Sequence, residues 1–272
     1  MSNGLYNGLD NGLHNGVYNG LSGGVSNGLY DNETFFKKKI IARNIVLQES
    51  SLNYKSYNQG ATTIKDLSVN SVTGTLYNVT YNPISKGLKF NGTSSYVDTG
   101  KSLKAYGLRD YYTISVWVKY TASQTGFIFS QRESTSNFGN IAIGIAGTSD
   151  FGSSGTKIVL FDGGGATVNR QTISPKSYND NRWHQVVLVK DIMFDRLFVD
   201  GVQVAISNIV QNIANAINSK TFLGVVGSNL VPLGSPYYFN GEIGEVIFME
   251  TILNANEVRH NFEATRMDYI NT

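Results

Sequence analysis

The closest match to a catalytic carboxylate pair in this sequence is Glu242 with Glu245, within the segment Gly241–Val246. Retaining glycosidases need two carboxylates about 5–5.5 Å apart beside the bond that they cleave. Side chains three positions apart in a regular β-strand point to opposite faces of the sheet. We therefore expect this pair not to act as a glycosidase.

Other catalytic chemistry lacks its residues. The sequence has no cysteine and 3 histidines, at positions 14, 184 and 260, so thiolate nucleophiles and histidine-built metal centres are not expected. No nucleophile elbow, His-Glu-x-x-His motif or phosphate-binding loop is present. We read His184, which follows Trp183 at the start of an apolar run, as a structural hydrogen-bonding residue. The prediction is a protein with no catalytic residue.

Tyrosines and an asparagine beside predicted strands could contact a sugar, since aromatic rings stack on sugars and amides bind hydroxyl groups. The candidate glycan contacts are Tyr111, Tyr112, Tyr237, Tyr238 and Asn240. The same tyrosines would equally serve as contacts between subunits. Bound Ca²⁺ needs clustered oxygen ligands, and the candidates Asp150 and Asp162 lie in no dense acidic cluster. We expect no required cofactor and leave Ca²⁺ open at these two positions.

Composition excludes further classes of function. The 272 residues carry 22 Lys and Arg against 20 Asp and Glu, a net charge of +2 that provides no field for gripping nucleic acid. No stretch approaches the roughly 20 apolar residues of a membrane span. Residues 1–6 lack the basic and apolar regions of a signal peptide. We expect no nucleic-acid or membrane partner, and synthesis in a cytosol.

Residues 3–30 are a separate low-complexity segment of seven four-residue units, mostly Asn-Gly, then Leu or Val, then a variable residue. A glycine in every turn costs a helix about 1 kcal/mol each, so an extended chain suits the pattern better. So few apolar side chains cannot offset the entropy of ordering the segment. It is either a flexible leader or an assembly arm ordered by a neighbouring subunit, and we interpret it as an arm. Its apolar contact positions would be Leu5, Leu9, Leu13, Val17, Leu21, Val25 and Leu29.

The remainder reads as about a dozen short strands separated by turn residues, which is typical of a β-sandwich. The unbroken apolar run His184–Lys190 predicts a strand covered on both faces. Asp200-Gly201 between two apolar runs predicts a tight hairpin. Asn254–Met267 predicts a helix with Asn254 as its N-cap and Val258, Phe262 and Thr265 on one face. Residues 209–219 form either a short helix or a loop.

The order of these segments resembles a laminin-G-like, concanavalin A-type domain, in the version common in phage and other viral structural proteins. The resemblance covers residues 44–268 and implies an all-β jelly-roll sandwich of two antiparallel sheets without catalytic machinery. β-Glucanases of this fold carry Glu-x-Asp-x-x-Glu on one strand, whereas the segment around Glu242 lacks the central aspartate. The segments that carry the resemblance are Tyr54-Lys55-Ser56-Tyr57, Asp66-Leu67-Ser68, Gly74-Thr75-Leu76, Leu88-Lys89-Phe90-Asn91-Gly92, Ser95-Tyr96-Val97, Thr113-Ile114-Ser115-Val116-Trp117-Val118, Asp180-Asn181-Arg182-Trp183-His184-Gln185-Val186, Leu197-Phe198-Val199-Asp200-Gly201, Asn240-Gly241-Glu242-Ile243-Gly244-Glu245-Val246 and Ile252-Leu253-Asn254-Ala255-Asn256-Glu257-Val258.

These observations predict four regions: the repeat arm at 1–34, a basic junction at 35–43, the sandwich at 44–268 and a tail at 269–272. The triplet Lys37-Lys38-Lys39 in the junction is either a solvated hinge or a contact for a phosphate or an acidic partner. Trp117 and Trp183 are expected in the core rather than as sugar platforms.

Two non-enzymatic functions follow from this organisation. The first is a virion structural protein, such as a minor capsid, decoration, fibre or appendage subunit, whose arm binds copies of itself or other virion proteins. It would assemble in the host cytoplasm and reside in the virion. The alternative is a carbohydrate-binding, lectin-like adhesion module that attaches to glycans on a host or other surface.

Overall fold

A computed structural model describes residues 39–131, 140–146, 155–163, 169–208, 220–228, 231–232 and 237–270. The chain divides into two units, Met1–Ile40 and Ile41–Thr272, and the second is the one considered below. Several predictions fall outside the described residues: the repeat arm with its Leu and Val positions, Lys37 and Lys38, residues 209–219 and Asp150. They stay predictions.

The second unit is built from eighteen strands and two short helices within its described part. The strands are β1 (Ile45–Ser50), β2 (Thr63–Lys65), β3 (Thr73–Tyr77), β4 (Thr80–Asn82), β5 (Gly87–Asn91), β6 (Tyr96–Asp98), β7 (Tyr112–Lys119), β8 (Gly126–Gln131), β9 (Asn140–Ala146), β10 (Lys157–Gly163), β11 (Asn169–Ser177), β12 (His184–Lys190), β13 (Phe194–Val199), β14 (Val202–Asn208), β15 (Thr221–Leu223), β16 (Gly227–Ser228), β17 (Val231–Pro232) and β18 (Asn240–Met249). The helices are α1 (Ala255–Thr265) and α2 (Met267–Ile270).

Two antiparallel sheets form the sandwich. Sheet 1 has the order β14-β13-β12-β7-β18-β5-β4, and β1 pairs with the second half of β18. Sheet 2 has the order β11-β10-β9-β8-β15-β6-β3-β2. The prediction of an all-β jelly-roll sandwich with a short C-terminal helix is confirmed. No helix in the described part of the chain is long and apolar enough to cross a membrane.

Local signals account for several of these elements. Asp200 and Gly201 both have positive φ, at 53° and 75°, which matches the tight turn predicted between β13 and β14. The side chain of Asn254 accepts bonds from the amides of Asn256 and Glu257, and the Glu257 carboxylate accepts from the amide of Asn254. This capping box starts α1 where the sequence predicts it.

The main core lies between the sheets, where inward side chains such as Val116, Leu188, Phe129 and Ile143 are fully buried. Strand β12 is buried along its whole length, as its unbroken apolar run predicts. A second cluster covers the outer face of sheet 1. There Trp117 stacks on Tyr269 with ring centroids 4.3 Å apart, and Trp183 joins them. Both tryptophans are buried, as predicted.

The carboxyl group of Glu49 is buried between the two sheets. Glu49 of β1 is 1% exposed, and neither of its oxygens has a hydrogen-bond donor among the described residues. Its Oε1 would lie 2.6 Å from a Cβ on Gly74 of β3, in the opposite sheet. Burial, reinforced by the nearby Asp66 carboxylate, raises the pKa of Glu49 well above its ordinary value. The fold therefore favours the protonated acid.

We predict that Glu49→Gln stabilises the protein at neutral and alkaline pH. A carboxyl whose pKa is raised by folding contributes its stability below its unfolded pKa and loses it as pH rises towards the folded pKa. The advantage of the amide should grow by up to about 1.4 kcal/mol per pH unit above about pH 4.3. Urea unfolding of both proteins at several pH values measures this. Parallel stability curves would contradict it.

His184 is held between two carboxylates at the start of β12. Its Nδ1 lies 2.7 Å from Asp200 Oδ2 and its Nε2 lies 3.0 Å from Asp180 Oδ1. Burial disfavours the charged ring, but the two carboxylates outweigh it and raise the pKa of His184 above its ordinary value. This geometry confirms the predicted structural role, since each ring nitrogen already has a partner.

We predict that the contribution of His184 to stability depends on pH. A histidine whose pKa rises on folding stabilises fully below its unfolded pKa of about 6.5 and loses this as pH passes the folded pKa. At pH 5.5, His184→Gln should cost about 1.5–3 kcal/mol, the range for hydrogen bonds to charged groups. The cost should be smaller at pH 9. Urea unfolding at both pH values measures the cost. An equal loss of stability at pH 5.5 and pH 9 would refute a charged His184 held by the two carboxylates.

Candidate functional site

A cleft opens where the edges of the two sheets lie beside each other. Strand β2 is the edge of sheet 2 and β4 is the edge of sheet 1. The chain passes from β3 in sheet 2 to β4 in sheet 1 through only Asn78 and Val79. Asn78 makes this crossing with φ of 51°, a left-handed conformation that asparagine tolerates better than most residues. This edge cleft has a volume of about 330 Å³.

The floor of the edge cleft is aromatic and apolar. Tyr57 and Leu76 belong to the main core, and Tyr81, Val79 and Ala61 pack against it from the cleft side. The rings of Tyr57 and Tyr81 are tilted, with centroids 5.6 Å apart. Burial is the main cause of the raised pKa of the Tyr81 phenol, and the neighbouring Tyr57 raises it further. Tyr81 is therefore a neutral hydrogen-bond donor at physiological pH.

The rim of the cleft is polar and uncommitted. Four exposed side chains line it: Gln59 and Thr62 before β2, Asn78 between β3 and β4, and Thr80 at the start of β4. None of them forms a side-chain hydrogen bond to another residue in the described part of the chain, although the Asn78 carbonyl accepts one from Ser95 Oγ at 2.5 Å. Two amides and two hydroxyls are thus available to a ligand that lies on the tyrosine floor.

A tyrosine pair adjoins the cleft along the chain. Tyr77, at the end of β3, stacks on Tyr96 of β6 with centroids 4.4 Å apart and an interplanar angle of 11°. Tyr77 is 41% exposed, whereas Tyr96 is half-buried against the edge of Phe222. Burial is the main cause of the raised pKa of Tyr96, and Tyr77 and Tyr238 add to it. These rings give the outer face of sheet 2 an aromatic surface.

The structure separates the sugar contacts predicted from the sequence. Tyr111 is 45% exposed before β7, but the adjacent Tyr112 is 0% exposed and belongs to the main core, so its predicted glycan contact is wrong. Tyr237 is half-buried against Phe127. Tyr238 is half-buried near Tyr96, and Asn240 is exposed at the start of β18. The edge cleft includes none of these residues.

The metal prediction gains no support from the described residues. Asp162 lies in β10, and the structure does not describe its side chain. In the described ranges, no group of three or more His, Cys, Asp or Glu side chains converges as a metal site. Ca²⁺ binding stays an untested prediction.

The prediction that Glu242 and Glu245 face opposite ways is wrong because β18 is not regular between them. Its pairing with β7 shifts between Ile243 and Val246, which marks a bulge. Ile243 and Val246 both point into the main core, so the glutamate before each faces outwards. Glu242 accepts a bond from Asn82 Nδ2 at 2.9 Å and another from Ser85 Oγ.

The bulge serves the packing of α2. The Tyr269 ring lies against Gly244, where a Cβ would come within 2.5 Å of Cε1. The Glu245 amide donates to the Tyr269 hydroxyl at 2.8 Å, and the Glu245 carboxylate accepts from Gln48 Nε2 at 3.0 Å. A buried ring therefore covers Gly244, one of the two residues between the glutamates, and both carboxylates accept hydrogen bonds from neutral donors.

Solved structures with a similar fold include Domain 4 of AbnA, a GH43 extracellular arabinanase from Geobacillus stearothermophilus, in complex with arabinotriose. The TM-score is 0.59 at 17% identity, over 80% of this chain and 98% of that one. The binding domain of botulinum neurotoxin DC in complex with SialylT gives a TM-score of 0.57 at 14% identity, over 81% of this chain and 51% of that one. These similarities show the fold.

A search of curated protein sequences gave no match. Residues 91–259 do match the family Laminin_G_3, described as the concanavalin A-like lectin/glucanases superfamily. This match spans β6 to the middle of α1 and includes both tryptophans, Trp117 in β7 and Trp183 just before β12. Because it covers more than half of the 272 residues, the chain belongs to the Laminin_G_3 family of concanavalin A-like domains.

Proposed function

We propose that this protein is a non-catalytic carbohydrate-binding module whose sugar site is the edge cleft. The observation that carries the proposal is the combination of a tyrosine floor with four uncommitted polar side chains at the rim. A sugar ring has an apolar C–H face and a hydroxyl edge. The first suits Tyr81, and the second suits the amides of Gln59 and Asn78.

The cleft is preorganised for such a ligand. Its floor is part of the folded core, so binding does not require the aromatic groups to become ordered. The backbone of Asn78 is held at the crossing between the sheets, where its carbonyl accepts a hydrogen bond from Ser95 Oγ. Its side-chain amide therefore extends from a fixed point of the backbone. The volume of about 330 Å³ is at the lower end for small-molecule sites and suits one or two sugar rings.

The similar structures support this class of ligand. The arabinanase domain was solved with arabinotriose, and 98% of that domain is covered by the match. Another similar structure is of botulinum neurotoxin type C, whose cell entry is dependent upon interaction with two ganglioside molecules. This chain spans about half the length of the neurotoxin chains. The similarity therefore does not show that their glycans bind to the half that this chain matches. The arabinanase domain is therefore the stronger support.

The virion hypothesis stays a prediction. It rests on residues 3–30, which lie outside the described residues, and neither the family nor the similar structures support a capsid, fibre or appendage role. Binding of the protein to copies of itself through those residues also stays a prediction. A displayed glycan-binding domain and an assembly arm are compatible with each other in one chain.

We predict that removing rim amides weakens sugar binding without unfolding the domain. Gln59→Ala deletes an exposed side chain, and Asn78→Gly deletes an amide while suiting the positive φ. Each should weaken binding about 3–10-fold, the loss expected for one neutral hydrogen bond. Titration calorimetry with a panel of neutral oligosaccharides that includes arabinotriose measures the change.

Asn58→Ala is the matched control, because this exposed amide is adjacent to Gln59 but does not line the cleft. It should bind like the parent protein. If no oligosaccharide in the panel binds the parent, or if the control loses as much affinity as the rim variants, the assignment of the cleft fails.

A further inference from the structure

A second cavity, distinct from the edge cleft, lies at the rim of sheet 1 where β7 ends and β18 begins. It has a volume of about 280 Å³, and its polar lining comes from Lys89, Lys119, Thr121, Asn181, Asn240 and Glu242. The strand register places Glu242 opposite Lys89 on one side and Lys119 on the other. Two lysine residues therefore flank one glutamate on neighbouring strands.

The carboxylate does not neutralise the two lysines by direct contact. Its oxygens accept from Asn82 and Ser85, and Oε2 would lie 2.8 Å from a Cβ on Gly87. Glu242 is thus turned towards β4. Neither Lys89 nor Lys119 has an acidic partner within 4.0 Å among the described residues. Both cations remain available at the cavity.

The two asparagines are held by their backbones, which leaves their amide side chains free. The Asn240 backbone amide donates to Gln124 Oε1 at 2.7 Å, and its carbonyl accepts from Gln124 Nε2 at 2.9 Å. Asn181 adopts a φ of 63° and donates its backbone N–H to the Tyr120 carbonyl at 3.2 Å. Both side chains are exposed and make no hydrogen bond to another residue in the described ranges. The cavity is therefore built before any ligand arrives.

The chemistry of this cavity differs from that of the edge cleft. Its two aromatic residues, Phe90 and Tyr120, are buried in the main core and present no exposed ring face. Two ammonium groups suit one anionic group, and two carboxamides with the Thr121 hydroxyl suit the hydroxyls around it. This set of donors fits an acidic sugar better than a neutral one.

We infer that the lysine-asparagine cavity binds the charged group of an acidic sugar, as a second glycan site apart from the edge cleft. The sugar part of this inference rests on the proposed function, whereas the anion part rests on Lys89 and Lys119 alone. A uronic acid and a sulfated sugar share the required chemistry, namely one anionic group surrounded by hydroxyls. The affinity should fall as salt is added, because the lysines are partly solvated.

Chemical-shift titration of the full ¹⁵N-labelled chain tests this inference, with four probes: glucuronate, glucose 6-sulfate, glucose and inorganic sulfate. We expect one or both acidic sugars to shift the amides of Asn181 and Asn240. Glucose should leave them unshifted, and inorganic sulfate should bind more weakly than the acidic sugars. Shifts with glucuronate alone indicate a carboxylate as the anionic group, whereas shifts with glucose 6-sulfate alone indicate a sulfate.

Lys89→Gln with Lys119→Gln should weaken binding of the acidic sugar about tenfold or more, the loss expected for a charge-assisted hydrogen bond. Lys55→Gln with Lys65→Gln is the control, because it changes the net charge equally and neither lysine lines the edge cleft or the second cavity. Matching thermal unfolding curves verify that both variants fold.

The outcomes separate this inference from the proposed function. If neutral oligosaccharides bind the edge cleft but acidic sugars leave Asn181 and Asn240 unshifted, the second site is overturned and the cleft stands. If acidic sugars shift these amides while no neutral sugar binds, the second site stands without the cleft. Equal binding of inorganic sulfate and the acidic sugars, or equal loss in the control variant, overturns the assignment to a sugar.

Discussion

The structure depends on burying two apolar sheet faces against each other without closing them into a barrel. An open sandwich has edges, and at one of them the chain passes between the sheets through only two residues, Asn78 and Val79. The core then ends at the surface between β2 and β4, where Tyr81 is half-buried and packs beside the buried Tyr57. The edge cleft is a direct consequence of this crossing, and its aromatic floor is the end of the core.

Elsewhere the apolar surface is closed. On the outer face of sheet 1 the rings of Trp117 and Trp183 pack with Tyr269, and the bulge at Gly244 makes room for that tyrosine. The face that could have presented tryptophans to a ligand is thereby occupied. The lysine-asparagine cavity, by contrast, is polar. The backbone of its Asn240 is held by Gln124, and the backbone N–H of its Asn181 donates to the Tyr120 carbonyl. The fold thus offers an aromatic site and a charged site in different places.

Sequence reasoning succeeded where the signal is local. The hairpin at Asp200-Gly201 and the cap at Asn254 follow from residue types that suit one backbone conformation. It failed where the outcome depends on pairing. Tyr111 and Tyr112 are adjacent and chemically identical, yet Tyr111 lies just before β7 and is exposed, whereas Tyr112 begins a strand that is buried on both faces. Regular strand geometry predicts opposite faces for Glu242 and Glu245, whereas β18 has a bulge between them where Tyr269 of α2 packs against Gly244. The edge cleft joins residues 57–62 with 76–81, whose proximity only the sheet topology reveals; the sole sequence clue was Tyr and Asn beside short strands.

The central claim is that the open edge of the sandwich is a sugar site. The most direct measurement is a crystal structure of the full chain grown with a neutral oligosaccharide that binds it in solution. The account predicts density for a sugar ring lying on Tyr81, with its hydroxyls within hydrogen-bond distance of Gln59 and Asn78. A sugar bound at another surface, with the cleft holding solvent alone, would contradict it.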